Sequence, residues 1–302
     1  MEINIASRAS KLALWQSYNI QKQLKDKYNC EVTVQEYSTR GDEILDRSLA
    51  AIGGKGLFTK ELEIAILNGK ADIAVHSLKD IPVVLPESFM IGAITTRADV
   101  RDMFLSQKYE TLDNLPKNSV VGTTSQRRKL QLLLYRPDLI IKDLRGNVNT
   151  RIQKLKNSEY DAIILACAGI DRLELSDEVK YTHRIDKNIM VPAMGQASLA
   201  IECLVGNEEK IKFLNDEKAF IETTIERDFV RYLEGGCQTP IGINACLIDD
   251  KIEILAIVGG VKSMKYIKQK ICFDKKYYKE AGASIAKLFI TLGAKELLEE
   301  AI

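Results

Sequence analysis

The sequence lacks an excess of either charge: Lys+Arg 43 stand against Asp+Glu 42 in 302 residues, a formal net charge of +1. That balance excludes a bulk field able to draw in nucleic acid or an anionic membrane, so a charged partner must be met by a local cluster. No uninterrupted apolar run approaches the ~18–20 residues of a membrane-spanning helix. The opening MEINIASRAS has an acidic second residue and no apolar stretch, and a cytoplasmic location is the expectation. Only 2 histidines are present, and the cysteines at 30, 167, 203, 237, 246 and 272 form no CxxC pair. These spacings fit neither a zinc site nor a disulfide framework, and reduced thiols are expected. Internal repeats and low-complexity tracts are absent too. What is there, 46% hydrophobic and 28% charged residues, describes a globular chain long enough for two or three domains with cores of their own.

The first two-thirds alternates short β-type runs with amphipathic helical stretches, the pattern of α/β units on mostly parallel sheets. Ile3–Ala6 reads as a strand, then a helix capped by Ser10 and running to about Tyr28, with Leu14, Tyr18 and Leu24 on its inner face. Val32–Tyr37 is a second strand. A helical stripe of Phe58, Leu62, Ala65 and Ile66 stops at Asn68-Gly69, and Ala71–Val75 is a third strand. The grammar then repeats: Ser119–Gly122 strand, Ser125–Tyr135 helix, Leu139–Leu144 strand, Asn147–Asn157 helix, Asp161–Ala166 strand. Two α/β lobes follow, joined by short extended crossings at Thr95–Asp102 and Val191–Gln196 that would act as hinges. After Asn215 comes a helix carrying Phe220, Ile221, Ile225, Phe229 and Leu233, then the turn Glu234-Gly235-Gly236-Cys237. Three β-type runs (Ile241–Ile248, Ile252–Val258, Tyr266–Phe273) and a helical C-terminus complete a small α+β domain. The Lys-rich stretch Lys262–Lys279 reads as a solvated strand edge.

Charge is concentrated in one place. Val120–Arg151 holds seven Lys/Arg (127, 128, 129, 136, 142, 145, 151) against Asp138 and Asp143, a local +5. Arg127-Arg128 follow Gly122-Thr123-Thr124-Ser125 at a strand-to-helix junction, where hydroxyls and free backbone N–H groups favour an anion, and Arg145-Gly146-Asn147 occupies the next such junction. Ligands of open α/β sheets bind at the carboxyl ends of strands, so these arginines can converge on a small polyanion; a solvated basic helix face is the alternative. His76-Ser77-Leu78-Lys79-Asp80 directly follows a strand. A carboxylate there can stabilise a developing cation while the lysine fixes an anionic substituent, unless the two form only a surface ion pair. His76 itself reads as a hydrogen-bonded core residue. Gly53-Gly54-Lys55-Gly56 lacks the spacing of a phosphate-binding Walker loop, and Thr39–Gly56 is long enough to be a mobile active-site loop. Cys237, on a glycine turn, is a candidate nucleophile or attachment point, or else a half-buried structural thiol; the other five cysteines read as core packing.

Seven segments in order, over essentially the whole chain, resemble the porphobilinogen deaminase (hydroxymethylbilane synthase) family. They are Ser7-Arg8-Ala9-Ser10-Lys11-Leu12-Ala13, Thr39-Arg40-Gly41-Asp42, Gly53-Gly54-Lys55-Gly56-Leu57-Phe58, His76-Ser77-Leu78-Lys79-Asp80, Thr123-Thr124-Ser125-Gln126-Arg127-Arg128, Leu144-Arg145-Gly146-Asn147-Val148 and Glu234-Gly235-Gly236-Cys237. Three positions depart from the usual pattern: Thr124 for a serine, Asn149 for a glycine, and Ala197 for a second glycine after Gly195-Gln196.

The resemblance implies an enzyme that condenses four porphobilinogen molecules head to tail, releasing ammonia at each step, until water frees hydroxymethylbilane. It implies a dipyrromethane cofactor joined by a thioether to Cys237, and Asp80 as the catalytic carboxylate. Lys79, Asp80, Ser125, Arg127, Arg128, Arg145 and Gly146 match cofactor-binding positions. Arg8, Ser10, Lys55, Phe58, Thr123, Arg151, Arg172 and Gln196 match substrate-binding ones. The implied fold is two hinged lobes like those of periplasmic binding proteins, with a cleft between them and a third domain bearing the cysteine. The implied boundaries are 1–97 with 196–215, 98–195, and 216–302. No metal, nucleic-acid or membrane partner is expected, and a monomer is. The rival reading is a solute-binding module that captures carboxylates without a reactive thiol; a nucleic-acid binder lacks an aromatic platform interleaved with its basic residues.

Overall fold

In the computed structural model, the described residues are 2–39, 41, 56–236 and 239–300. The expected loop at Thr39–Gly56, Lys55 within it, and Cys237 lie wholly or mostly outside them. The chain divides into two compact units, Met1–Ala98 with Ala197–Phe220, and Asp99–Gln196 with Ile221–Ile302.

Unit 1 is built on a five-stranded sheet of β1 (Glu2–Arg8), β2 (Glu31–Tyr37), β3 (Ile73–Ser77), β4 (Phe89–Ile94) and β10 (Leu199–Leu204), in the order β2-β1-β3-β10-β4. β1 runs parallel to β2 and β3, and β10 runs antiparallel to both neighbours, so the returning segment after Gln196 supplies a central strand. Unit 2 repeats the plan with β5 (Asp102–Ser106), β6 (Val120–Gly122), β7 (Ile140–Lys142), β8 (Ala162–Ala166) and β9 (Tyr181–Arg184), ordered β7-β6-β8-β5-β9. Here β5 is the antiparallel strand. Helices cover both faces of each sheet. In unit 1 the helix Lys11–Tyr28 buries Ile20 and Leu24 against Ile3, Ile5 and Val75, while Lys60–Leu67 buries Leu62, Ala65 and Ile66 against Ala6 and Ala74. In unit 2, Val148–Lys156 and Gln126–Tyr135 cover opposite faces, packing on Ile163 and Leu165, and on Val121 and Ile164, respectively. Two-sided burial explains why β8 reads as the unbroken apolar run Ala-Ile-Ile-Leu-Ala.

Unit 2 also contains a three-stranded antiparallel sheet, β11 (Ile241–Ile248), β12 (Lys251–Gly259) and β13 (Tyr266–Asp274), with the helix Tyr278–Thr291 and, from Ile221 on, the helix Glu217–Tyr232. Phe229 and Phe289 lock those helices edge to face, with ring centroids 5.1 Å apart. β13 is an edge strand with Lys268 and Lys270 at alternate positions, the solvated edge expected from composition.

Three expectations need correction. The inner face of the first helix is Ala13, Gln16, Ser17, Ile20 and Leu24, whereas Tyr18 is 49% exposed. The buried positions 13, 16, 17, 20 and 24 follow the helical period in a different phase, with Gln16 Nε2 donating to Ser77 Oγ on the sheet, and Tyr18 falls outside that stripe. Val191–Gln196 does not stay extended: it ends in a turn closed by the Gln196 N–H donating to Ala193 O. Of the five cysteines read as core, only Cys167 and Cys203 are buried. Cys30 and Cys246 are half-buried, and Cys272 is exposed because an edge strand has one uncovered face.

Candidate active site

In unit 1 the chemistry gathers at the carboxyl ends of parallel strands. β1 ends at Arg8, and Ser10 caps the following helix by accepting from the Ala13 N–H at 3.3 Å. The Arg8 guanidinium lies 4.2 Å from the centre of the Phe58 ring, a cation–π contact that orients it. Gly41 makes room for that ring: a Cβ there would come within 2.2 Å of Phe58. β3 runs straight into a single turn, Leu78–Asp80. Leu78 and Ile81 are fully buried on either side, so Lys79 and Asp80 are presented half-exposed from a fixed backbone. Behind them Ser77 Oγ accepts from Gln16 Nε2 at 2.8 Å. His76 is the hydrogen-bonded core residue expected, its Nε2 3.0 Å from the buried Glu202 carboxylate.

In unit 2 the same edge is basic. Ser125 caps the helix Gln126–Tyr135 by accepting from the Arg128 N–H. Asn147 caps the next helix by accepting from the Thr150 N–H at 3.0 Å. Between strand and cap, Gly146 has φ 109, and a Cβ there would meet Thr150 at 2.8 Å, so glycine is needed for the Arg145-Gly146-Asn147 corner. Arg151 turns back onto this corner, its Nε donating to Gly146 O at 2.8 Å. Arg145, Arg151 and Arg172 are half-buried, and burial brings the Arg172 guanidinium down to about 10 despite the neighbouring Asp171. Thr123 is buried, and its Oγ1 accepts from the Ser125 N–H at 3.2 Å.

Arg127 and Arg128 differ from the expectation of an open basic cluster. Both are buried and both close on Asp102, at 2.7 Å each. Gln196, also buried, donates from Nε2 to Asp102 at 3.1 Å and to Val100 O at 2.7 Å. The local count of +5 therefore overstates the field at this edge, because a counter-charge arrives from outside the counted segment. Burial would raise the Asp102 carboxyl, but the charges and hydrogen bonds of Arg127 and Arg128 outweigh it and hold it well below the usual carboxylate range. Asp102 is the residue that sequence reasoning misses. The available signal is a charged residue flush against the apolar run Met103–Leu105, which a buried strand tolerates only with a partner.

Before the β11–β13 sheet, the described residues Gly236 and Thr239 are bonded to each other. Thr239 Oγ1 donates to Gly236 O at 2.7 Å, and the Gly236 N–H donates to Thr239 Oγ1 at 3.2 Å.

A family model described as "Porphobilinogen deaminase, dipyromethane cofactor binding domain" matches residues 3–212, and one for the C-terminal domain of the same enzyme matches 220–291. The porphobilinogen deaminase of a Nitratiruptor species is 56% identical over 302 residues, covering 100% of this chain and 97% of the relative. That of Campylobacter fetus is 55% identical over 303 residues, covering 100% and 99%. The chain belongs to the porphobilinogen deaminase family. Its members are transferases that condense porphobilinogen into the tetrapyrrole hydroxymethylbilane, on the pathway to haem, with a dipyrromethane cofactor covalently bound through cysteine. Among solved structures, a TRAP periplasmic solute binding protein from Desulfovibrio salexigens aligns at a TM-score of 0.43 and 13% identity, covering 72% of this chain and 73% of that one. The two lobes of repeated strand order and the small third sheet are the α/β architecture expected of the family.

The residues present fit the cofactor's chemistry. A dipyrromethane with an acetate and a propionate on each ring needs donors for four carboxylates, and the unit 2 edge supplies three half-buried arginines and two capped helix N-termini. Of the three departures from the family pattern, Thr124 is absorbed locally, its Oγ1 donating to Leu144 O at 2.6 Å. Asn149 is half-buried within a helix. Ala197 is the consequential one: it has φ 79, a left-handed backbone that glycine adopts freely and alanine does not.

Proposed function

We propose that Asp80 is the catalytic carboxylate of the condensation and that Cys237 carries the dipyrromethane. The observation that supports this most is the presentation of Asp80: half-exposed, ionisable, next to a lysine, on a turn pinned by two fully buried residues at the end of a central parallel strand. When ammonia leaves porphobilinogen, the electrons of the C–N bond depart with it and a methylene-pyrrolenine cation remains. Asp80 accepts a hydrogen bond from the pyrrole N–H and stabilises the charge as it develops, most effectively in a site from which water is excluded. The dipyrromethane, when bound, supplies the pyrrole ring onto which the first substrate is coupled.

The remaining residues bind and orient. Lys79, Ser125, Arg127, Arg145 and Gly146 serve the cofactor directly, and Arg128, whose nitrogens are held by Asp102 and Ile164 O, serves it as scaffold. Arg8, Ser10, Lys55, Phe58, Thr123, Arg151, Arg172 and Gln196 serve the incoming rings, whose acetate and propionate groups are matched by guanidinium forks and hydroxyls. Arg8 is suited to this because the face of an aromatic ring holds its guanidinium in place. The reading extends to three domains at 1–97 with 196–215, 98–195 and 216–302, supported by the three separate sheets. It also takes the protein to be a cytoplasmic monomer whose partner is porphobilinogen rather than nucleic acid or a membrane, in keeping with a net charge of +1.

Denaturing intact-mass analysis of the wild type and of Cys237→Ser, before and after incubation with porphobilinogen, tests attachment: the adduct of two pyrrole units is expected in the wild type alone. Asp80→Asn is expected to lose tetrapyrrole synthesis by about 100-fold or more, since the amide cannot offset a cation. Turnover within a few-fold of wild type in that variant would remove Asp80 from its role.

A further inference from the structure

A buried cluster of one carboxylate and two guanidiniums lies at the basic edge of unit 2, and nothing in the reaction as described uses its central residue. Asp102 begins β5, the antiparallel strand, and is fully buried. Its Oδ1 accepts from Arg128 Nη2 at 2.7 Å, Arg128 Nε at 3.1 Å and Gln196 Nε2 at 3.1 Å, while Oδ2 accepts from Arg127 Nη1 at 2.7 Å. The two arginines are not equivalent. Arg128 also gives Nη1 to Ile164 O at 2.9 Å, so all three of its nitrogens are committed to the protein. Arg127 spends Nη1 on Asp102 and on Val191 O at 2.7 Å, and none of these bonds uses its Nε or Nη2. Val191 is held in turn by Gln131, which accepts from its N–H at 2.7 Å and donates to its O at 3.1 Å.

We propose that Asp102 is a positioning residue for the carboxylate-binding edge: it fixes Arg128 as scaffold and orients Arg127 so that its remaining donors are available to a ligand carboxylate. The inference rests on the reading of Arg127 as a cofactor ligand. A single carboxylate here aligns two guanidiniums and the buried Gln196, so the edge is assembled before any ligand arrives. Such pre-alignment matters because a displacement of about 1 Å can cost on the order of 100-fold in a reaction that depends on placement.

The test uses the full-length chain as wild type, Asp102→Asn, Asp102→Glu and Arg127→Gln. Each is checked for folding by near-ultraviolet circular dichroism, incubated with porphobilinogen and followed by intact mass for covalent loading. KM and kcat are then measured on the loaded fraction. Positioning predicts a graded result. In folded Asp102→Asn, loading slows by about tenfold or more and KM rises by a similar factor with a smaller change in kcat, while Asp102→Glu, which keeps the charge but displaces it, falls between that variant and wild type. A purely structural role would lower the yield of folded protein and leave loading rate and KM per folded molecule at wild-type values, which overturns the proposal. If Asp102→Asn does not fold, wild-type KM and loading in Asp102→Glu overturn it equally. Arg127→Gln separates the two levels. If it is impaired while the folded Asp102 variants are not, the positioning role alone fails. If Arg127→Gln loads and turns over as wild type, the assignment of Arg127 as a ligand fails and the positioning role with it.

Discussion

The two α/β lobes share one strand order and each buries an acid on its antiparallel strand, at the first position in unit 2, opposite Ala166, and mid-strand in unit 1, opposite Ala74, and they use it oppositely. In unit 1 the antiparallel strand β10 carries Glu202, which meets His76 from the adjacent β3. In unit 2 the antiparallel strand β5 carries Asp102, which meets Arg127 and Arg128 from the helix above the sheet. The unit 1 pair lies on the strands just before the turn that presents Lys79 and Asp80. The unit 2 triad consumes charge at the edge itself. One lobe thus presents a carboxylate suited to a cation, and the other tempers a surplus of cations suited to carboxylates. A repeated strand order therefore does not fix where charge is buried, and the buried partner sets how much of it remains.

Removing the unit 2 acid should give the largest effect on stability. Asp102→Ala strands two buried guanidiniums, and a loss of about 3–5 kcal/mol is expected in urea unfolding. The acid limb should reveal the same residue. A carboxyl whose folded pKa is depressed contributes stability above its unfolded value, here 3.8, and loses it as pH falls through the folded value. Hydrogen exchange below pH 3.8 should therefore open β5 and β8 progressively as the solution is acidified, and protection of these strands that is unchanged over that range would break the contrast between the lobes. In unit 1, Glu202→Gln keeps the shape and loses only a charge-assisted bond to a single imidazole, so about 1–3 kcal/mol is expected from the same urea measurement. A cost equal to that of Asp102→Ala would show the two buried acids to be equivalent after all.

A different asymmetry can be read with thiol chemistry. Burial raises Cys167 to about 12 and Cys203 to about 11, whereas Cys272 stands exposed on the edge strand. Iodoacetamide at about pH 8 should alkylate Cys272 and spare Cys167 and Cys203 in native protein, as peptide mapping would report. Modification of Cys203 at a comparable rate would mean that the unit 1 sheet opens more readily than its core implies.

Much of this architecture is legible in the amino-acid order alone. The strand–helix alternation places most elements of the two lobes, and Ser10, Ser125 and Asn147 mark helix starts because a short oxygen-bearing side chain before an apolar stripe has few other uses. Pairing across distance is what stays hidden. Nothing local connects Asp102 with Arg127 and Arg128, so the basic segment counts as +5 while part of it is already neutralised. β10 is equally opaque as a central strand of the first sheet, because its partners β3 and β4 lie far earlier in the chain and only chain return makes them neighbours. Tyr18 misleads for a gentler reason: helical spacing gives the period of a stripe but not its phase when small polar residues such as Ser17 are the ones buried.

The smallest effect expected belongs to Ala197, the first residue of the returning segment of unit 1. Its φ of 79 puts an alanine where the left-handed conformation costs an L-residue about 1–2 kcal/mol. Glycine removes that cost but adds back unfolded-state freedom of about 0.4–1 kcal/mol, so Ala197→Gly should stabilise by roughly 0.5–1 kcal/mol. The hydrogen bond from the Ala98 N–H to Ala197 O, 3.3 Å, is a backbone contact that the substitution retains. A rise of a few degrees or less in Tm is the expected outcome at this chain length. A fall in Tm would mean that the buried methyl group contributes more than the backbone strain removes, and that position 197 is settled by packing within unit 1 rather than by its conformation.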